Sequence, residues 1–170
     1  MAPADNLKSY SDVEAVDLLH QVSSFYTSTK VPHDYGTGER HTSTEVYLLK
    51  YIADHPNITL TELAYDWGKT KGAISQLLKK LLAKGLIERS GSLGPDNRQP
   101  VRITEKGREL NRIHIAYDTM HFAESMDRVR ERFDEHDINT AFTVLEYWLG
   151  VRREVQRERA ERQRTERPVP

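Results

Sequence analysis

Residues 59–107, TLTELAYDWGKTKGAISQLLKKLLAKGLIERSGSLGPDNRQPVRITEKG, decide how the rest of the chain is read. The stretch opens on Thr59-Leu60-Thr61-Glu62. This is capping-box spacing, in which the Thr hydroxyl accepts from the amide three residues on and the Glu reaches back to the cap amide. Leu60, Leu63, Ala64 and Trp67 then share one face of a short helix. Gly68 ends it and supplies a turn, and Thr70 caps a second helix with the apolar set Ala73 or Ile74, Leu77, Leu78, Leu81 and Leu82. Gly85 stands where a helix C-cap glycine belongs. Leu86-Ile87-Glu88-Arg89 is strand-like, Gly94-Pro95-Asp96-Asn97 is a turn, and Val101-Arg102-Ile103 returns as a strand. Two short helices meeting at a glycine, followed by a hairpin, is the order of parts of a winged helix-turn-helix.

On the N-terminal side, residues 1–10 have no apolar periodicity and are expected to be unstructured. Ser11-Asp12-Val13-Glu14 is a capping box for a helix with Val13, Val16, Leu19, Val22 and Phe25 or Tyr26 on one face, ending near Ser28. Residues 29–41, with Pro32, Gly36 and Gly38, read as a loop. Thr42-Ser43-Thr44-Glu45 opens a further short helix, with Val46, Leu49, Ile52 and Ala53 inward, which stops before Pro56. On the C-terminal side, Thr104 starts a helix of about eight turns, long for a globular protein, with Leu110, Ile113, Tyr117, Met120 or Ala123, Met126, Val129 and Phe133 along it. Asp137 is placed to cap a last helix with Ile138, Ala141, Phe142, Leu145, Trp148 or Leu149, and Val155. Beyond Gly150 the chain is largely Arg, Glu and Gln, and Pro168 and Pro170 end it. The expected fold class is mainly α with a small β-hairpin wing: a winged helix-turn-helix over residues 42–106, flanked by dimerisation segments at 1–41 and 107–170.

The net charge of −1 over 170 residues conceals an uneven distribution. Residues 1–67 carry four basic and ten acidic side chains, whereas residues 68–106 carry nine basic and three acidic, a net of +6. A basic segment on an otherwise acidic chain is the footprint of a polyanion binder. The absence of cysteine excludes disulfides and thiolate metal sites. No basic-then-apolar leader opens the chain and no apolar run approaches the ~20 residues of a membrane helix, so the expected location is the cytoplasm and no membrane partner is expected. No nucleophile–base pair, phosphate loop or carboxylate pair stands out, so the chain is not expected to be an enzyme.

The second helix of the quoted stretch carries the chemistry. A helix entering the major groove needs an anchored inner face and a short, polar, basic outer face near its N-terminus. Thr70, Lys71, Gly72, Ala73, Ser75 and Gln76 meet that description, and Lys79 and Lys80 lie further along, where they suit phosphates. Gln76 can pair bidentately with adenine. At the wing tip, Asn97 and Arg98 are placed to contact DNA, because an arginine on a hairpin tip fits a narrow minor groove.

These residues resemble the MarR family of bacterial winged-helix transcription factors. The resemblance is carried by Leu63-Ala64, Trp67-Gly68, Thr70 to Leu77, Lys84-Gly85-Leu86-Ile87, Asp96-Asn97-Arg98 and Ile103 to Gly107, and is specific over about residues 42–110. It implies a homodimer whose N-terminal and last two helices interlock, so that two winged heads read a pseudo-palindrome in double-stranded DNA. It also implies a ligand-responsive repressor with a pocket between head and dimer helices for a small aromatic or phenolic effector, with no fixed cofactor. His20, Tyr26, Tyr35, His41, Tyr47 and Tyr117 are the candidate pocket residues. Two departures, Gln76 and Pro100 where the family often has basic residues, imply fewer charge contacts. The Arg/Glu tail lies outside the common pattern. His114, Asp118 and His121 share one helix face at spacings open to a metal, but the set is sparse, and the expectation is no metal, with a metal-responsive regulator or a DNA-free interaction module as alternatives.

Overall fold

A computed structural model describes residues 8–27, 32–91 and 99–165. The expectations for residues 1–7, for a helix end at Ser28, for the wing tip 92–98 and for the closing prolines lie outside the described residues. In chain order the elements are α1 (Asp12–Thr27), β1 (His33–Asp34), β2 (Arg40–His41), α2 (Ser43–Asp54), α3 (Leu60–Asp66), α4 (Lys71–Ala83), β3 (Ile87–Arg89), β4 (Val101–Ile103), α5 (Glu105–Arg130) and α6 (Glu135–Thr165).

The helix starts are set locally. Ser11 and Glu14 close a reciprocal cap on α1. Thr42 with Glu45, and Thr59 with Glu62, form complete capping boxes on α2 and α3. The Thr70 hydroxyl accepts from the Ala73 amide at 3.2 Å, and the Thr104 hydroxyl accepts from the Gly107 amide at 3.1 Å. The last helix departs from expectation. Asp134 rather than Asp137 is the capping side chain, accepting from the Asp137 amide at 2.8 Å, and α6 begins at Glu135. The bond from Arg130 to Glu135 across the turn fixes the earlier start, which leaves Asp137 inside the first helical turn.

The expected loop at 29–41 also needs correction, because residues 33–41 form a small antiparallel hairpin with His33 opposite His41. The Asp34 carboxylate accepts from the amides of Gly36, Thr37 and Gly38 at 2.9, 3.0 and 3.1 Å. This ties the turn from inside and leaves the two glycines at positive φ, where a side chain is disfavoured.

One core runs from α2 to the start of α5. Leu48, Leu49 and Ile52 of α2, Leu63 of α3, Ile74 and Leu81 of α4, Leu86, and Val101 of β4 are almost wholly buried in it. The wing strands pair antiparallel with Glu88 opposite Arg102, and Ile58 adds a bridge to Val101. Gly107 is where α5 meets this core: a Cβ there would overlap the Leu86 carbonyl oxygen and stand 2.7 Å from Ile103 Cγ1. Only glycine lets the helix sit that close.

The outer helices are different. None of the described side chains of α1 is buried, and in α6 only Ile138 is; Met126 is buried on α5, and Phe122 and Phe142 meet near the α5–α6 turn. Met120 and Val129, expected on the inner line of α5, are exposed. The tail is helical through Thr165. No described helix is long and apolar enough to cross a membrane.

Candidate nucleic-acid interface

The inner side of α4 is fixed by Ile74, Leu78 and Leu81, so Ile74 and not Ala73 takes the first core position of that helix. Ala73 is exposed, together with Lys71, Gly72, Gln76, Lys79 and Lys80, and Ser75 is half-buried. The expected contact residues Thr70 to Lys80 therefore form one outward surface. Gly68, at φ 56°, makes the turn that swings α4 away from α3. The first turn of α4 contains no acidic side chain, so the partial positive charge of the helix end is not neutralised there. Asn97 and Arg98 fall outside the described residues.

The structure also redistributes the positive charge seen in the sequence. Arg102 is paired with Glu88 at 2.8 Å across the wing, Lys106 with Glu39 at 2.7 Å and Lys84 with Glu45 at 3.1 Å. These three cations are engaged by acidic partners within the head, and only the Lys84–Glu45 pair is largely shielded from water. Lys84 is the centre of this tie: its Nζ also donates to the Arg40 carbonyl at 3.0 Å and lies 3.3 Å from His41 Nδ1, while Lys106 donates to the Lys84 carbonyl. Glu45 thus serves both the α2 cap and a buried ion pair, and its carboxyl is held below the usual range by the Thr42 amide and Lys84, against the effect of burial. His41 is pushed below the ordinary histidine value, first by burial and then by Lys84.

The expected effector residues divide into separate places. Tyr35, Tyr47 and Tyr117 converge on His114, which is 1% exposed. The Tyr35 and Tyr47 rings stand edge-on to the imidazole at 5.4 and 5.0 Å, and Tyr117 packs edge-on to Tyr35 at 5.4 Å. Tyr47 donates to the Asp118 carboxylate at 2.6 Å. His114 Nε2 is 3.0 Å from the same oxygen, and His114 Nδ1 is buried without a hydrogen-bond partner. Burial pushes His114 down and Tyr35 up to about 12, with Asp118 adding to the rise at Tyr35. Tyr47 is raised further by burial and by its bond to Asp118. His41 belongs to the Lys84 cluster instead, His20 is exposed on α1, and Tyr26 is more than half exposed beside Phe25.

His121 packs edge-on to Tyr117 at 4.4 Å, and among the described residues no three His, Asp or Glu side chains form a metal-holding group. His33, on the hairpin, joins the aromatic cluster 4.9 Å from both Tyr35 and Tyr117. Sequence reasoning does not find it, because the two-residue strands of the hairpin that carries it leave no alternation to read. The role of His114 and Asp118 in this cluster was visible only as an i, i+4 spacing. Next to the cluster, Tyr47, Lys50, Tyr51, Asp66, Trp67 and Arg153 border an open cleft of about 380 Å³ between α2, α3 and α6.

Residues 42–98 match the MarR family. An uncharacterized HTH-type transcriptional regulator of Bacillus subtilis, YhjH, is 30% identical over 90 residues, which are 52% of this chain and 50% of that protein. The chain thus matches about half the length of that relative. Among solved structures, Streptococcus pneumoniae FabT in complex with DNA is 19% identical with a TM-score of 0.59, over 85% of this chain and 99% of that one. Staphylococcus aureus MarR in complex with salicylate and kanamycin is 18% identical with a TM-score of 0.61, over 82% and 93%. Residues 42–98 thus carry the MarR-family match, and the chain as a whole, with its helix-turn-helix, wing strands and two long C-terminal helices, shares the winged-helix fold of these structures.

Proposed function

We propose that the protein is a sequence-specific transcriptional regulator that binds a pseudo-palindromic operator in double-stranded DNA as a homodimer, acts in the cytoplasm as a repressor, and responds to a small phenolic ligand. The observation that carries the DNA-binding part is the outer face of α4: exposed, polar and basic from Lys71 to Lys80, on a helix whose other side is locked into the core. The DNA complex of FabT supports the same use of the fold. Residues 42–106 serve as the reading head. Residues 1–41 and 107–170 join two heads at a spacing of one helical turn of DNA, ~34–36 Å, or a multiple of it. The exposed apolar faces of α1 and α6 support that assembly.

Binding to the DNA upstream of the protein's own gene, measured by fluorescence anisotropy, is the test. Affinity should fall steeply with salt, because phosphate contacts release counterions. Gln76→Ala should lower discrimination between the operator and scrambled duplex by about 1–3 kcal/mol, whereas Lys79→Ala should weaken both duplexes alike. Absence of any complex at low salt removes the proposal.

The effector site is assigned to the cluster of Tyr35, Tyr47, Tyr117 and His114. A buried polar atom without a partner costs about 1–3 kcal/mol, and Nδ1 of His114 is a group that a bound molecule would satisfy. Asp118 lies against Nε2 of the same ring, so a neutral phenol suits the site better than a carboxylate. The salicylate complex of the Staphylococcus aureus protein, an aromatic ligand on the same fold, supports the class. Simple phenols should raise the melting temperature more than matched benzoates do.

A further inference from the structure

The charge-rich end of α6 lies against the helix-turn-helix. The Tyr65 hydroxyl of α3 donates to the Arg153 carbonyl at 2.9 Å. Three residues on, the Gln156 amide oxygen stands 3.7 Å from where a Cβ on Gly68 would be. Arg157 borders, with Tyr65 and Gly150, a second open cleft on this junction. The contacts advance together, Arg153 at Tyr65 and Gln156 at Gly68, so α6 runs toward the turn that precedes α4. It then continues as helix from residue 157 to Thr165, about 13 Å further at the α-helical rise. Gly68 is only two residues before Thr70, the cap of α4. The end of α6 therefore emerges beside the N-terminal end of α4, which is the end a recognition helix presents to the groove.

Residues 152–165 carry six arginines and three glutamates. Arg157, Arg159 and Arg162 are exposed. A helix stabilised by its own i, i+4 pairs needs no docking site, and the Glu158–Arg162 pair, at 3.7 Å, is loose. Here α6 is docked on the head at Arg153 and Gln156, and the basic segment runs on from there. We infer that the end of α6 forms a basic arm whose Arg157, Arg159 and Arg162 contact the phosphates of duplex DNA beside the recognition helix. The inference rests on the DNA-binding reading given above. Guanidinium groups suit this task because their planar fork matches phosphate oxygens, and such contacts add affinity and orientation without sequence information.

The test uses the full-length chain carrying Arg157→Gln, Arg159→Gln and Arg162→Gln together, with anisotropy titrations on the upstream duplex and on a random duplex of equal length between 50 and 200 mM salt. Each lost phosphate contact makes the slope of log affinity against log salt shallower by about 0.9. The expected result is a slope shallower by about 2–3, equal weakening on both duplexes and an unchanged melting temperature. An unchanged slope, with or without weaker binding, overturns the arm while leaving the DNA-binding reading intact, since it makes the segment a brace for the head at most. Should the triple variant fold poorly, Arg159→Gln alone must shift the slope by about one contact, and no shift overturns the arm. If the wild-type chain binds neither duplex, the DNA-binding reading fails and the arm with it.

Discussion

The winged head and the outer helices draw on the same apolar side chains and treat them in opposite ways. In the head, Leu48, Leu49, Leu63, Ile74 and Leu81 are almost wholly removed from solvent. On α1 and α6, Phe25 and Tyr147 are 78% and 76% exposed, and Val16, Phe142 and Trp148 remain substantially so. The head closes its own core through α2, α3, α4, β3, β4 and the start of α5, which meet within one chain. Among the described residues, much of the apolar surface of the outer helices is left exposed. The difference separates packing inside the head from the association proposed for α1 and α6.

The largest expected effect tests the head. Leu81→Ala removes a fully buried side chain and should lower unfolding stability by about 2–5 kcal/mol, read by urea denaturation of the head's helical signal. A loss below about 1 kcal/mol would mean that the head is not the closed core described.

A smaller effect tests the outer helices. Phe25→Ser with Trp148→Ser should weaken self-association by about 10–100-fold, since a large apolar side chain contributes roughly 1.5–3 kcal/mol when buried, while leaving the head's denaturation curve in place. Sedimentation at several concentrations reads this. A chain that is monomeric before the change, or equally dimeric after it, contradicts the division between the two regions.

The smallest effect comes from acid. His41 and His114 both lie below their ordinary value because burial disfavours the imidazolium. Lys84 and Lys106 reinforce this at His41, while Glu45 and Glu39 oppose it; at His114, Lys50 reinforces it and Asp118 opposes it. The unfolded chain therefore binds more protons than the folded one below about pH 6.5, and stability must fall as pH drops through that point. The melting temperature should decline between pH 7.5 and 5.5, with hydrogen exchange rising first around α2 and the 33–41 hairpin. His41→Gln with His114→Gln should flatten the profile. A decline of the same steepness in that variant would place the sensitivity elsewhere.

How much of this was legible depends on whether the cause is local. The boxes at Ser11, Thr42 and Thr59 involve side chains three residues apart, and each forms as the spacing predicts. Gly68 and Gly85 are legible because a left-handed backbone needs them. The hairpin at 33–41 was missed, although Asp34 followed by two glycines is itself a turn signal, because strands of two residues leave no alternation to read. The misplaced start of α6 has a similar origin: Asp134 and Asp137 are equivalent caps in sequence, and the Arg130–Glu135 bond selects between them.

The sequence by itself determined the order of helices and wing, their starts and turns, and which face of α4 is polar, because these follow from spacing along a few residues. Only the tertiary structure decided which charges remain available. Lys84, Lys106 and Arg102 look like DNA contacts in a charge count, yet they are bound to glutamates 39, 67 and 14 positions away. It likewise gathered Tyr35, Tyr47 and Tyr117 around a buried His114, and laid Arg153 on Tyr65, 88 positions distant. Such pairings depend on where whole elements pack, and no local periodicity encodes them.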